Sequence, residues 1–312
     1  MPSTASPLDW FARATTTATD WPVRDLLQAK GARRIAVVLP ARNEAATVGD
    51  IVAAIRADLQ RAAPLVDELI VIDSDSTDRT AAVAEQAGAA VYAAKSIRAD
   101  LGAHRGKGEA LWKAQFVTSA DLLVFVDADL TGWGTHFVTG LLGPLLVDPG
   151  VHLVKGFYDR ILEDGSGTHT PQGGRVTELV ARPLLAQLRP ALARIVQPLA
   201  GEWAIRRESF GALYVPVGYG VEMASLLDVH DRFGLDAVAQ VDLGARAHAH
   251  QSVHDLAVMA SEIVAVTLRR TIAPQLSPAA QLWQFDRRGE SVWQARAVPV
   301  TERPPARSVP SG

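Results

Sequence analysis

The sequence has no cysteine, only 6% aromatic residues, and no apolar run long enough to span a bilayer. Without cysteine there is neither a disulfide framework nor a thiolate metal site. An excess of one charge is lacking too: 31 Lys and Arg stand against 34 Asp and Glu, a net of -3. That balance gives no basic stripe for nucleic acid and no acidic solubilising tail. Met1 to Ala18 shows no basic segment followed by an apolar one, so no secretory signal is expected. The expectation is a soluble cytoplasmic protein with no membrane or nucleic-acid partner. What the chain does hold is 48% hydrophobic residues over 312 positions, enough for one large domain or one domain with an appended lobe.

The most informative stretch is Leu122-Leu123-Val124-Phe125-Val126 running into Asp127-Ala128-Asp129. A continuous apolar run rich in β-branched and aromatic residues predicts a strand buried on both faces of a sheet. Asp127 and Asp129, two apart at its carboxyl end, point the same way. That edge is where open α/β sheets hold ligands. Paired carboxylates repel each other, and a hard divalent cation relieves the repulsion.

The rest of the chain alternates. Residues 1 to 33 form an N-terminal arm, with helix expected near Trp10 to Ala14 and at Val23 to Lys30. Strands are predicted at Ile35 to Leu39, Glu68 to Ile72 and Ala90 to Ala93. Helices are predicted at Val48 to Leu59, Thr80 to Ala87 (closed by Gly88) and Gly108 to Thr118. This alternation predicts an α/β fold with a doubly wound, mainly parallel sheet, its nucleotide-binding part spanning residues 34–135. Residues 136–297 read as the C-terminal helical part of the same domain. They include a strand at Val151 to Tyr158, a loop at Gly165 to Gly174, and a helix at Val176 to Leu188 with Val176, Leu179, Val180, Leu184 and Leu188 as its apolar face. A helix at Val221 to Phe233, a strand at Ala237 to Val241 and a long helix at Val253 to Leu268 follow. The proline-rich tail, 298–312, is expected to be disordered.

Four loops concentrate polar residues at this edge: Pro40-Ala41-Arg42-Asn43-Glu44, Asp73-Ser74-Asp75-Ser76-Thr77-Asp78, Arg105-Gly106-Lys107-Gly108-Glu109 and Asp127-Ala128-Asp129. Each alone has a structural explanation, such as an N-cap cluster or a glycine turn. Sharing one sheet edge, they suit a sugar nucleotide: carboxylates and hydroxyls for base and ribose, lysine for phosphate, metal for diphosphate. Gly173-Gly174-Arg175 precedes the helix near Val176, where free N–H groups, glycines and an arginine fork suit a phosphate or carboxylate. Arg246, His248 and His250, spaced by two on a predicted strand, share one face.

Together with Gly173 to Leu179, Gln197 to Glu202 and Gly218 to Glu222, these motifs resemble the GT-A glycosyltransferases, and more narrowly the actinobacterial glucosyl-3-phosphoglycerate synthases and their mannosyl-transferring relatives. The resemblance covers roughly residues 35 to 270. It implies transfer of glucose from UDP-glucose to the 2-hydroxyl of 3-phosphoglycerate with retention of the α-anomer, by a homodimer. It implies Asp129 and His248 as ligands of Mg²⁺ or Mn²⁺, and with Glu222 as the catalytic set. Pro40, Ala41, Arg42, Glu44, Ser74, Lys107, Asp127, Ala128, Asp129, Tyr219, Glu222 and Arg246 fall at donor-binding positions. Gly173, Gly174, Arg175, Thr177 and His250 fall at acceptor positions, His250 where mycobacterial members carry Asn. GDP-mannose, or another GDP-sugar, fits the same scaffold, and a non-catalytic nucleotide-binding protein is the alternative of another class. Trp112, Trp133 and Trp203 fit packing better than sugar stacking.

Overall fold

The computed structural model describes residues 7–163, 169–172, 174–247, 252–273, 281–286 and 292–310. Gly173, His248 and His250 therefore lie outside the described residues. The N-terminal arm forms α1 (Pro7–Ala14), β1 (Thr15–Thr17) and α2 (Val23–Lys30). The alternating core follows: β2 (Ile35–Ala41), α3 (Val48–Ile55), β3 (Glu68–Asp73), α4 (Thr80–Ala87), β4 (Ala90–Ala93), α5 (Lys107–Ala114), β5 (Leu122–Phe125) and α6 (His136–Val147). Gly88 closes α4 in the left-handed conformation, φ +106°. The second half contributes β6 (Leu153–Glu163), β7 (His169–Gln172), α7 (Arg182–Leu188), β8 (Trp203–Arg206), α8 (Arg207–Gly211), β9 (Val215–Pro216), α9 (Val221–Phe233), β10 (Val238–Ala247) and α10 (Val253–Thr271). It ends in β11 (Gln281–Asp286), β12 (Val292–Ala297) and β13 (Glu302–Arg303).

One sheet, ordered β1-β10-β6-β8-β5-β2-β3-β4, organises these elements, with β7 antiparallel to β6. All its other pairings are parallel except those of β8, which runs antiparallel between β5 and β6. Side-chain alternation along β2 separates two cores. Ile35, Val37 and Leu39 join α3 and α6 on one face, and Ala36 and Val38 join α5 and α9 on the other. The register puts the carboxyl ends level: Val38 pairs with Phe125, and Ala41 with Asp73. The loops after β2, β3 and β5 thus meet at one edge. Among the described residues no helix is long and apolar enough to cross a membrane.

Several expectations need correction. The predicted loop at 165–174 contains β7 at 169–172, and within the part read as helical β11 and β12 pair antiparallel. The predicted helix from Val176 begins with a widened i→i+5 turn over Thr177–Ala181. A widened turn adds a residue and rotates the face that follows. Ala181 and Leu185 are consequently buried, while Leu179, assigned to the apolar face, is 76% exposed. The tail is not disordered where it is described. Glu302 and Arg303 pair with Pro216 and Val215, and Val217 N donates to Thr301 O at 3.0 Å. Arg303 is buried, its guanidinium bonding both Glu109 carboxylate oxygens at 2.7 Å and stacking over Trp112. Trp112 and Trp203 are fully buried packing residues.

Candidate active site

The carboxyl edge of the sheet opens into a cavity of about 1000 Å³. It is lined by Pro40, Ala41, Arg42 and Glu44 after β2, Ser74 after β3, Lys107 at the start of α5, and Asp127, Ala128 and Asp129 after β5. From the second half come Gly174, Arg175 and Thr177, Tyr219 and Glu222 around the start of α9, and Arg246 from β10. Every predicted site residue that falls among the described residues therefore lines this one cavity.

The first two loops are locked to each other. Asn43 N donates to Ser76 Oγ at 3.0 Å, Thr77 N to Asn43 Oδ1 at 2.8 Å, and Glu44 N to Thr80 Oγ1 at 2.8 Å. Asp78 Oδ1 accepts from Thr80 N at 2.9 Å, as a capping residue does. Asn43, Ser76, Thr77 and Asp78 thus build the scaffold, leaving Arg42, Glu44 and Ser74 to face the cavity. Thr47 Oγ1 donates to Ala128 O at 2.7 Å and ties the acidic motif to the same scaffold.

Two cations, the partly buried Lys107 and the buried Arg246, hold the carboxylates of the floor. Lys107 Nζ lies 2.5 Å from Asp127 Oδ1 and 2.9 Å from Glu222 Oε1. Burial opposes its charge, but Asp127 and Glu222 outweigh it and hold the ammonium well above the usual lysine value. Arg246 reaches Glu202 at 2.8 Å, Asp129 at 3.1 Å, Asp127 at 3.7 Å and the Tyr158 hydroxyl at 3.0 Å. Burial again opposes its charge, and Glu202 leads the groups that raise it. Gly201 leaves room for the acidic motif, since a Cβ there would fall 2.1 Å from Asp127 Oδ2. Beneath the floor, buried Lys155 donates to Ala200 O at 2.8 Å, and burial brings its ammonium down to about 7.

Glu44 is pushed up to about 7 by burial, then by Asp129, Asp127 and Asp78. Burial and Asp127 raise Asp129 as well, with Arg246 and Lys107 opposing. Crowded carboxylates of this kind, with the Asp129 side chain half exposed to the cavity, suit a hard divalent cation. Among the described residues no group of three or more His, Cys, Asp or Glu side chains is placed to hold a metal ion. The Asp129 carboxylate offers an oxygen donor of the kind such a cation takes.

Arg105, from the third of the four polar loops, also lines the cavity, as do Glu262, Arg296, Leu256 and Met259, which carry no motif in the sequence. Glu262 had a readable signal: it sits three residues from Met259 and four from Val266 on the apolar face of α10, where an acid is out of place. Arg296 had none, because its position depends on β12 folding back and on an ion pair with Asp255 at 2.9 Å.

Residues 36–185 match the family described as Glycosyl transferase family 2. The glucosyl-3-phosphoglycerate synthase of Mycolicibacterium smegmatis is 44% identical over 297 residues, covering 95% of this chain and 96% of that protein. That of Petrotoga mobilis is 44% identical over 237 residues, 76% of this chain and 73% of that one. The crystal structure of the Mycobacterium tuberculosis synthase in complex with Mn²⁺, UDP-glucose and phosphoglyceric acid superposes with a TM-score of 0.84 at 42% identity, covering 94% of this chain and 97% of that one. Its complex with Mn²⁺, UDP and glucosyl-3-phosphoglycerate gives 0.82, covering 92% and 95%. With identity of this order along nearly the whole of both chains and the GT-A architecture in place, the protein belongs to the glucosyl-3-phosphoglycerate synthase family.

Proposed function

We propose that this protein is a metal-dependent glucosyltransferase that moves glucose from UDP-glucose to the 2-hydroxyl of 3-phosphoglycerate, retaining the α configuration and releasing UDP. The observation that carries the reading is the single cavity in which the Asp127–Asp129 motif and the Gly174 to Thr177 segment face the same space. A donor diphosphate and an acceptor phosphate are both anionic, and Arg42, Arg105, Lys107, Arg175, Arg246 and Arg296 bring cationic groups to that space.

Pro40, Ala41, Arg42, Glu44 and Ser74 surround the base and ribose, with Asp127 and Ala128 against the ribose. Lys107 and Arg246 meet the charge of the donor, and Tyr219 and Glu222 hold the sugar. Gly173, Gly174, Arg175, Thr177 and His250 hold the acceptor, the Arg175 fork taking its phosphate or carboxylate. Asp129 and His248 would hold the divalent cation, Mg²⁺ or Mn²⁺, whose chemistry is to neutralise charge developing on the departing diphosphate.

In the transfer step the bond from glucose C1 to the diphosphate oxygen breaks and a bond from C1 to the acceptor 2-oxygen forms on the same face. The hydroxyl proton passes to an oxygen of the departing phosphate. Asp127 and Glu222 are engaged by Lys107, and Glu202 by Arg246. That engagement supports a displacement without a carboxylate nucleophile, with catalysis resting on positioning and electrostatics. The reading includes a homodimer, for which Trp283 and Trp293, 60% and 65% exposed on the β11–β12 hairpin, offer apolar surface. It places the enzyme in the cytoplasm.

Purified protein incubated with UDP-glucose, 3-phosphoglycerate and Mg²⁺ or Mn²⁺ should release UDP only when all are present. EDTA should stop the reaction, and Asp129→Ala or His248→Ala should lower turnover by about two orders of magnitude or more while the fold is kept. Full activity in EDTA would remove the metal from the account.

A further inference from the structure

The turn Gly218-Tyr219-Gly220 is gripped from two sides. From α5, Glu109 N donates to Val217 O at 2.9 Å and Gly108 N to Gly218 O at 3.2 Å. From α10, Glu262 and Val266, one helical turn apart, press on the two glycines. A Cβ on Gly218 would fall 2.0 Å from Glu262 Oε2, and one on Gly220 2.6 Å from Val266 Cγ2. Between them Tyr219 N donates to Glu262 Oε2 at 2.6 Å. Glu262 is only 2% exposed, yet it lines the cavity beside Tyr219 and Glu222. Among the described residues no cation faces it, and Glu222 is the charged neighbour that acts on it. A buried acid normally demands a cation. Here its partner is the backbone of a cavity turn.

We propose that Glu262 is a positioning residue for glucosyl transfer: it fixes the Gly218-Tyr219-Gly220 turn and, through it, sets Tyr219 and Glu222 against the sugar of the bound donor. The inference rests on the UDP-glucose reading above. The hydrogen bond from Tyr219 N sets the peptide plane from which the Tyr219 ring enters the cavity. Glu222, three residues on in the first turn of α9, is carried by the same turn onto Lys107, 2.9 Å away. Whether protonated or ionised, the carboxyl keeps an oxygen that accepts this N–H and holds the plane. Small misplacements of groups around a reacting sugar cost large factors in rate.

The test is steady-state kinetics of two variants. Glu262→Met fills similar space without a carboxamide or carboxylate oxygen, and Glu262→Gln keeps an oxygen to accept from Tyr219 N. Glu262→Met should lower kcat/KM for UDP-glucose about tenfold or more, with the KM for 3-phosphoglycerate within about twofold of wild type. Glu262→Gln should stay within about threefold. Inhibition by UDP, which lacks the sugar, should change less than about twofold in both. Wild-type kinetics in Glu262→Met, equal losses in both variants, or an effect on the acceptor KM alone would each overturn the proposal. Should Glu262→Met not fold, Val266→Ala loosens the Gly220 side of the same grip. It should raise the donor KM and spare the acceptor KM, and no change would overturn the proposal equally. A wild-type protein that binds UDP but leaves UDP-glucose intact with 3-phosphoglycerate would instead sink the substrate reading.

Discussion

Lys107 and Asp127 meet at 2.5 Å across the carboxyl edge of the sheet, one from the first residue of α5 and the other two residues beyond β5. The two residues stand 20 apart in sequence, and α5 crosses one face of the sheet between them. The same ammonium takes Glu222 from α9, so one partly buried cation joins both halves of the chain. Ion pairing of this kind fixes the floor of the cavity before a substrate arrives.

Arg175 lines the cavity beside Gly174 and Thr177, in the segment proposed to take the acceptor. Arg175→Ala should raise the KM for 3-phosphoglycerate by about tenfold or more and leave the KM for UDP-glucose within about twofold. Initial rates with each substrate varied in turn check this. A rise in the donor KM alone would assign Arg175 to the other substrate.

Arg303 and Glu109 form a buried, two-pronged pair, their side chains 8% and 1% exposed. Arg303 Nη1 also reaches Leu101 O at 2.8 Å, and Trp112 Nε1 donates to Pro304 O at 2.8 Å. Arg303→Ala would leave the Glu109 carboxylate buried without its guanidinium, which costs about 3–5 kcal/mol in comparable pairs. Thermal melting of the variant should fall by several degrees. An unchanged melting temperature would show that the C-terminal segment does not clamp α5.

This clamp marks where the sequence stops being readable. Pro304-Pro305 and Pro310 look like a disordered composition, and only tertiary contact with Glu109 and the Val215–Pro216 strand reveals Arg303 as a core residue. The donor edge was legible for the opposite reason. Apolar strands running into Asp73 and Asp127, and helices starting near Thr80 and Lys107, carry their pattern locally. Alternation also gave β2 to β5 nearly to the residue. It missed β1, three threonines with no apolar residue among them, and β8. The face of the helix after Val176 was misphased because one widened turn shifts a periodicity that counting assumes constant. Local pattern brought Arg42, Ser74 and Arg246 to the binding edge but the resemblance supplied their roles, and Tyr219 was placed through the resemblance alone.

Glu262 gives a pH signature in stability. Burial pushes its carboxyl from 4.5 up to about 7, with the Tyr219 amide opposing and Glu222 adding to the rise. Between these values the folded protein keeps a proton that the unfolded chain has lost. The contribution is therefore fully present below about pH 4.5 and is lost as pH rises through about 7, with an upper bound of about 3 kcal/mol. Glu262→Gln removes this ionisation, so urea unfolding should show the variant gaining on wild type between pH 5 and pH 8. Parallel stability curves would contradict the assignment.

Donor choice is the most direct test of the account. Ser74 and the Pro40 to Glu44 loop line the side of the cavity proposed for the base. A site built to pair with uracil leaves buried polar groups unmet when a purine enters. Arg42, half-buried on that wall, is the residue able to reshape the preference. The measurement is kcat/KM for UDP-glucose, GDP-glucose and GDP-mannose, each with 3-phosphoglycerate and Mg²⁺. The account predicts UDP-glucose ahead by at least about tenfold, a factor needing only about 1.4 kcal/mol. A preference for GDP-mannose would contradict it.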